Sequence, residues 1–512
     1  MSKSDKKRGS YGTILKSSSI IGGSQAFGYA IGLFRTKLVA ILLGPSGVGL
    51  VGIYRSIITL TATISGMGLG SSGVREISAA RGKDDHEEIG QVQLALRRLA
   101  LLLGSTAFVG LFICSPWISD ALFQDRKYEL SIGLIGVVLI LNGLKGTQGA
   151  SIQGFRKIGD LAKITIIGSI TSVVIAFGYY LPLGERGIVP AIITMSAVAL
   201  SVSWWYARRL LIRPEDRSWR TTWGHSKRLL GLGAALAWGA LLGEMVPFAA
   251  RAMIVRDLGI EANGYYVAAW AISGLFINFL LSAMWADFFP RLVAVASDPE
   301  ARNQIVNEQT EIGIIVALPG VLAITTLAPL VIRILYTADF APAAALLPWF
   351  LLGLFGRITA WPMGMIILAK GDAKVQAIMQ TISASIHLVL LYGMFQLFSL
   401  QGLAMAFALQ YLWYNPALRV FLGRRYGFAW NSAVLRLLLV AVSFLLLVAV
   451  LSLVLPFLYY AIGCVLVVGL ASLFSAFQLY LRVSTHPKLE KLVAKLPASL
   501  TRKLDALVAR YE

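Results

Sequence analysis

Charge is what this chain has least of. Acidic and basic residues together make up 14% of its 512 positions against 57% hydrophobic residues, and the mean hydropathy is +0.72. A soluble domain carries about 25% charged residues, so a water-exposed globular surface is excluded and a polytopic membrane protein is indicated. Acids are the scarcer sign: 26 Asp and Glu stand against 46 Lys and Arg, a net charge of +20. Cysteine is nearly missing. Cys114 and Cys464 both lie in apolar runs, which excludes a disulfide framework and a cysteine-based metal site. The four histidines, His86, His225, His387 and His486, fall in no ligand pattern, so no metal is expected. Phosphate-loop, HExxH and GxSxG motifs are absent, and no outer link is long enough to house a catalytic pocket. Neither an enzyme nor a cofactor is expected. The basic residues are scattered over eight segments and form no stripe, which argues against nucleic acid as a partner.

Apolar runs of spanning length are what the chain does have. Punctuation by charge, Gly and Pro divides it into about fourteen transmembrane helices, an all-α polytopic membrane fold. The organisation reads as a basic arm at residues 1–13, six spans at 14–209, a basic linker at 210–228, six spans at 229–421, and a terminal helix pair at 433–481. Residues 485–512 form an amphipathic tail in which Leu489, Leu492, Val493 and Leu496 recur at helical spacing; it is expected on the inner leaflet. The apolar stretch behind the basic arm outruns a signal-peptide core and is read as a retained first span.

The even count places both termini on one side, and the cations agree. Thirty-five Lys and Arg fall in the termini and the even-numbered links, seven of them between Arg208 and Arg228; the odd-numbered links hold five. Short cytoplasmic links retain Lys and Arg, so both termini are expected in the cytoplasm. A weak internal repeat is also present. A shift of 215 superposes Gly44 and Gly49 on Gly259 and Gly264; a shift of 212 superposes Gly159 and Asp160 on Gly371 and Asp372, and Lys145 on Arg357. The implied unit is a lobe of six spans.

Six cations fall within spans: Arg35, Lys37, Arg55, Lys145, Arg251 and Arg357. At the bilayer centre each would cost roughly 2.5–3.5 kcal/mol, so they must face protein or water. Lys37, near a helix end, is expected to snorkel. Carboxylates to pair with the others are few: Glu244 near a span centre, seven residues before Arg251, and Asp287 towards the inner end of its span. Both are candidates for pairing or proton coupling. Cations left without acids call for an anionic ligand, and arginine suits phosphate because its planar fork donates two parallel hydrogen bonds. Arg35, Arg55, Lys145, Arg251 and Arg357 are the candidate binding residues. His387, in the apolar stretch Ser383 to Leu391, reads as a packing residue.

The segment Lys37 to Ile58, KLVAILLGPSGVGLVGIYRSII, resembles the opening of the bacterial O-antigen and lipid III flippases, with a span-1 lysine, a Gly-Pro link and an arginine early in span 2. Gly264 to Arg291, the NEQ of Asn307 to Gln309, Ile334 to Leu347 and the LAKGD of Leu368 to Asp372 are similar to later landmarks of that family, and the likeness covers about residues 15–425. These proteins belong to the multidrug/oligosaccharidyl-lipid/polysaccharide exporter superfamily. The resemblance implies two six-helix lobes around a central cavity, alternating access, and transport of undecaprenyl-diphosphate-linked oligosaccharide across a bacterial inner membrane, with glycan polymerase and chain-length proteins as further partners. The terminal pair exceeds the branch's twelve spans and is similar to that of the lipid II flippases. Rival readings are a drug or cation antiporter of the same fold, which would call for intramembrane acids, and a membrane glycan polymerase or ligase, which would need an extended outer loop.

Overall fold

The computed structural model describes residues 3–454 and 457–484, and every regular element among them is a helix. The expected tail at 485–512 and the side chain of Asp287 lie outside the described residues. In chain order the α-helices are α1 (Lys3–Gly66), α2 (Leu69–Arg81), α3 (His86–Phe123), α4 (Glu129–Ile135), α5 (Val137–Gly154), α6 (Ile158–Leu183), α7 (Ile188–Ala207) and α8 (Trp219–Asp257). They continue as α9 (Ile260–Ala294), α10 (Pro299–Thr326), α11 (Ala328–Leu335), α12 (Leu347–Ala369), α13 (Ala373–Tyr426), α14 (Ser432–Val454) and α15 (Phe457–Ser484).

Among the described residues, eleven helical segments are long and apolar enough to cross a membrane. Three of them are very long, at 44, 53 and 54 residues, and each is interrupted. In α1 the break is Gly44, at φ 63° and ψ −166°. That conformation is open to glycine alone, and Pro45 behind it has no N–H to give. Between α6 and α7 the break is the 3-10 turn Gly184–Gly187, and in α13 it is Ser399, at φ 53°.

Local chemistry sets the other ends. Asp85 caps α3 by accepting from the Glu88 N–H, and Glu87 and Glu88 place negative charge on the positive end of the helix dipole. Asp298 caps α10, with Pro299 as its first residue, so this helix begins ten residues before the 309–335 span read from hydropathy. Ser218 caps α8, which likewise starts inside the expected linker.

The chain divides into two compact units, Met1–Ala268 with Ile332–Pro342, and Ala269–Val331 with Ala343–Glu512. In the first, α6 packs on α1 and α7, and α5 on α3, α2 and α7. The basic link is drawn down onto α3. Gln93 donates to the Leu210 carbonyl and accepts from the Ile212 N–H, both at 3.0 Å, and Arg98 donates to the carbonyl of Arg217 at 2.7 Å. Asp216, hydrogen-bonded by Thr221 and the Ser218 N–H, is held below the usual carboxylate range. Arg228 bridges Glu88 and Glu76 at 2.5 and 2.6 Å, and these partners raise its pKa.

The repeat noted in the sequence has a structural counterpart inside this unit. Gly44 and Gly259 both adopt positive φ. A Cβ on Gly49 would stand 2.0 Å from the Ile260 carbonyl oxygen, and a Cβ on Gly264 would stand 2.1 Å from that of Pro45. The shift of 215 that carries Gly49 to Gly264 also carries Pro45 to Ile260, so the two contacts are images of each other. Asn263 spans the seam, donating to the Gly49 carbonyl at 2.7 Å.

In the second unit, Phe288, Val306, Met363, Ile366 and Leu418 form a fully buried core, and α14 and α15 pack on α10. Asn307, the first residue of the NEQ landmark, explains how α14 is anchored: it donates to the Ala429 carbonyl at 3.0 Å and accepts from the Asn431 N–H at 3.0 Å.

Candidate functional site

The break at Gly44 decides where two of the arginines go. Arg35 lies nine residues before it and Arg55 eleven after it, so both stand about 14–16 Å along their half-helices from the break. Arg35, Arg55 and Lys145 of α5 all line one cavity of about 520 Å³ in the first unit. Arg55 is exposed into it, while Arg35 and Lys145 are half-buried. Asn142, Thr59, Thr165, Ser169 and Ser196 supply neutral polar groups to the wall, and no carboxylate lines it. Tyr180 of α6 lies within electrostatic reach of both arginines. None of the three cations is in an ion pair among the described residues.

Arg251 belongs to the same unit. The sequence placed Arg55 and Arg251 in different six-span lobes; in the structure Arg251 donates from Nη1 to the Ser56 hydroxyl, beside Arg55, and its Nε–H is buried with no partner. Glu244, two turns back along α8, acts on Arg251 electrostatically but makes no ion pair with it. Arg357 is half-buried in α12 of the second unit, within electrostatic reach of Tyr411, and is not among the residues lining the cavity. His387 sits beside the Phe407 ring at 5.9 Å, a packing position.

Lys37 is no ligand and does not simply snorkel. Its ammonium donates to the carbonyls of Arg333 and Tyr336, where the helix α11 ends and leaves carbonyls unpaired. A cation there satisfies those acceptors and complements the helix dipole.

Sequence reasoning missed one acid. Glu311 in α10 is buried and carries a 2.7 Å salt bridge to Arg482 of α15, while Asn431 donates to its other oxygen at 2.9 Å. The signal was present: α10 starts at Asp298–Pro299, earlier than hydropathy suggests, so Glu311 lies well inside the helix and not at its mouth.

A helical bundle with a basic, acid-free cavity lined by its membrane-spanning helices defines a membrane transporter. The chain belongs to the family described as polysaccharide biosynthesis protein, whose model matches residues 38–345. It is similar to the lipid III flippase of Escherichia coli (strain K12), 21% identical over 399 residues, covering 75% of this chain and 92% of the relative, and equally to that of Shigella flexneri. Among solved structures the fold is similar to the lipid II flippase MurJ in an inward closed conformation, with a TM-score of 0.67, 13% identity, and coverage of 90% of this chain and 98% of that one. An inward-facing multidrug resistance transporter of the MATE family also shares it, with a TM-score of 0.65 at 16% identity over 78% of this chain and 95% of that one.

Proposed function

We propose that this protein is a flippase carrying undecaprenyl-diphosphate-linked oligosaccharide, a surface-glycan unit such as O-antigen, from the cytoplasmic to the periplasmic leaflet of a bacterial inner membrane by alternating access. The observation that carries this reading is the convergence of Arg35, Arg55 and Lys145 in one acid-free cavity, with Arg251 held beside Arg55. Three cations within membrane-spanning helices with no acid beside them are held at a cost that a diphosphate offsets by supplying the missing charge. The neutral hydroxyls and the Asn142 amide suit sugar hydroxyls, while the polyprenyl tail stays in lipid.

Counting each of the three helices interrupted at Gly44, Gly184–Gly187 and Ser399 as two supports a reading of fourteen crossings from the eleven spanning segments among the described residues. Fourteen crossings would leave both termini on one side, and the 35 to 5 asymmetry of cations supports the cytoplasm as that side. The inside-negative potential then favours outward movement of the anion by about 2.3 kcal/mol per charge per 100 mV. Glycan polymerase and chain-length proteins are the expected users of the product. The second reading, a drug or cation antiporter, draws on the MATE fold, but a cationic ligand would meet a wall without carboxylates.

The test is transport of a fluorescent polyprenyl-diphosphate oligosaccharide in proteoliposomes. Each charge-assisted hydrogen bond is worth about 1.5–3 kcal/mol, so Arg55→Ala and Arg251→Ala should each reduce the rate about 10- to 100-fold at unchanged insertion, with lysine rescuing only in part. Normal rates in both alanine variants would remove the cavity from the mechanism.

A further inference from the structure

A second basic pocket in the first unit has no part in that cavity. It is a cleft of about 340 Å³ between α3, α5 and α7, at the level where the basic link leaves α7, and Arg97 and Arg208 both line it. Arg97 is exposed and has no acidic partner among the described residues. Arg208 likewise pairs with no acid; its guanidinium lies 3.7 Å from the centre of the Trp205 ring and 5.3 Å from that of Trp204. Both tryptophans are half exposed, at 50% and 53%, as befits rings at a membrane–water boundary. The pocket therefore sits where phospholipid headgroups are.

Its remaining polar atoms narrow the ligand. The Gln148 amide oxygen is buried with no hydrogen-bond partner. The hydroxyls of Thr147, Ser151 and Ser201 all spend their protons on backbone carbonyls of their own helices, at 2.8, 3.2 and 2.9 Å. What Thr147 and Ser201 present to the pocket is acceptor lone pairs, while Ser151 accepts from the Gln93 amide at 3.4 Å. The site thus pairs two cationic donors with a group of acceptors, and its ligand must combine an anionic phosphate with hydroxyl donors. Leu200 and Leu211 complete an apolar side for acyl chains.

We propose that this cleft binds the phosphoglycerol headgroup of an anionic phospholipid in the leaflet facing the basic links, with the phosphate between Arg97 and Arg208 and the glycerol hydroxyls donating to Gln148 and Ser201. Phosphatidylethanolamine brings an ammonium towards two arginines, and phosphatidylcholine brings no donor. Basic pockets between membrane helices recognise anionic headgroups in this way. Such a lipid sits beside the Gln93 tether that holds the basic link onto α3.

The test is lipid binding to the purified full chain in neutral detergent, read by native mass spectrometry with dioleoyl phosphatidylglycerol, phosphatidic acid, phosphatidylethanolamine and phosphatidylcholine. It needs no transport substrate, so failure of the flippase reading leaves its outcome intact. Phosphatidylglycerol should bind at least about tenfold more tightly than phosphatidylcholine, a difference of ~1.4 kcal/mol. Arg97→Gln with Arg208→Gln should abolish that preference, while Arg209→Gln with Arg213→Gln, which removes equal charge from the same link, should keep it. Gln148→Leu should weaken phosphatidylglycerol and leave phosphatidic acid unchanged, a contrast that survives even if the arginine variants fold poorly. The proposal falls if the arginine pair is dispensable, if the control pair loses the preference equally, or if Gln148→Leu weakens both lipids alike. It also falls if free glycerol phosphate displaces the lipid at equal concentration, since the site would then be one for a soluble phosphate ester.

Discussion

The two units treat intramembrane charge in opposite ways. In the second, Glu311 has both oxygens engaged, by Arg482 and by Asn431, and Arg482 also donates to Gln478 at 2.7 Å. In the first, Arg35, Arg55 and Lys145 face a cavity with no acid on its wall. Charge within a membrane-spanning bundle is costly wherever it sits, and the two places differ in what meets it. A satisfied group fixes α15 onto α10. An unsatisfied group lowers the stability of the empty protein and keeps its binding capacity for something that arrives later. Arg357 is the exception in the second unit: it makes no ion pair among the described residues and lies within electrostatic reach of Tyr411.

The comparison breaks most visibly at Glu311. Removing one member of a buried ion pair strands the other, at about 3–5 kcal/mol. Glu311→Ala should therefore lower the melting temperature steeply and reduce the amount of folded protein in the membrane, as measured by fluorescence-detected size exclusion. Glu311→Met combined with Arg482→Met should recover most of the loss, because no charge is left unpaired. The same pair bears on the terminal helices. A chain ended after Arg436 would strand Glu311, so removal of the terminal helices should destabilise the protein unless Glu311→Met is made as well.

Lys145 should behave in the reverse sense. Lys145→Met removes a charge that no acid balances, so the empty protein should melt at the same temperature or higher. Transport of the diphosphate-linked lipid should nonetheless fall by about tenfold, the size of one charge-assisted contact. A Lys145→Met protein that unfolds more readily would mean that the lysine is a structural group after all.

The smallest effect belongs to a paired acid outside the spanning helices. Asp372 caps α13 and is hydrogen-bonded by Arg425 at 2.8 Å, which holds its pKa below the usual carboxylate range. A depressed pKa gives stability that is present above the unfolded value, near 3.9, and lost as pH falls through the folded one. Asp372→Asn should lower the melting temperature slightly at pH 7, and the gap from the parent protein should close as the pH is taken below about 4. A gap that stayed constant with pH would assign the effect to the cap geometry alone.

Much of this was legible in the sequence. Hydropathy marked the spans, because the cost of exposing backbone or charge to lipid is set residue by residue along the chain. Glycine spacing pointed to the break at Gly44 and to its counterpart at Gly259, since positive φ excludes most side chains at that one position. The candidate cations were legible for the same reason: a charge in an apolar run is a local anomaly.

Tertiary structure alone decided which anomalies were resolved. Lys37, two residues from Arg35, was expected to snorkel, yet its ammonium found carbonyls almost three hundred residues away, at Arg333 and Tyr336, and became a helix cap. Glu311 met Arg482 across 171 positions, while Arg35, Arg55 and Lys145 met one another and no acid. Hydropathy and helical period are properties of neighbours along the chain, so composition fixes them. Charge compensation is a property of neighbours in space, and no local pattern records which distant helix will bring the partner.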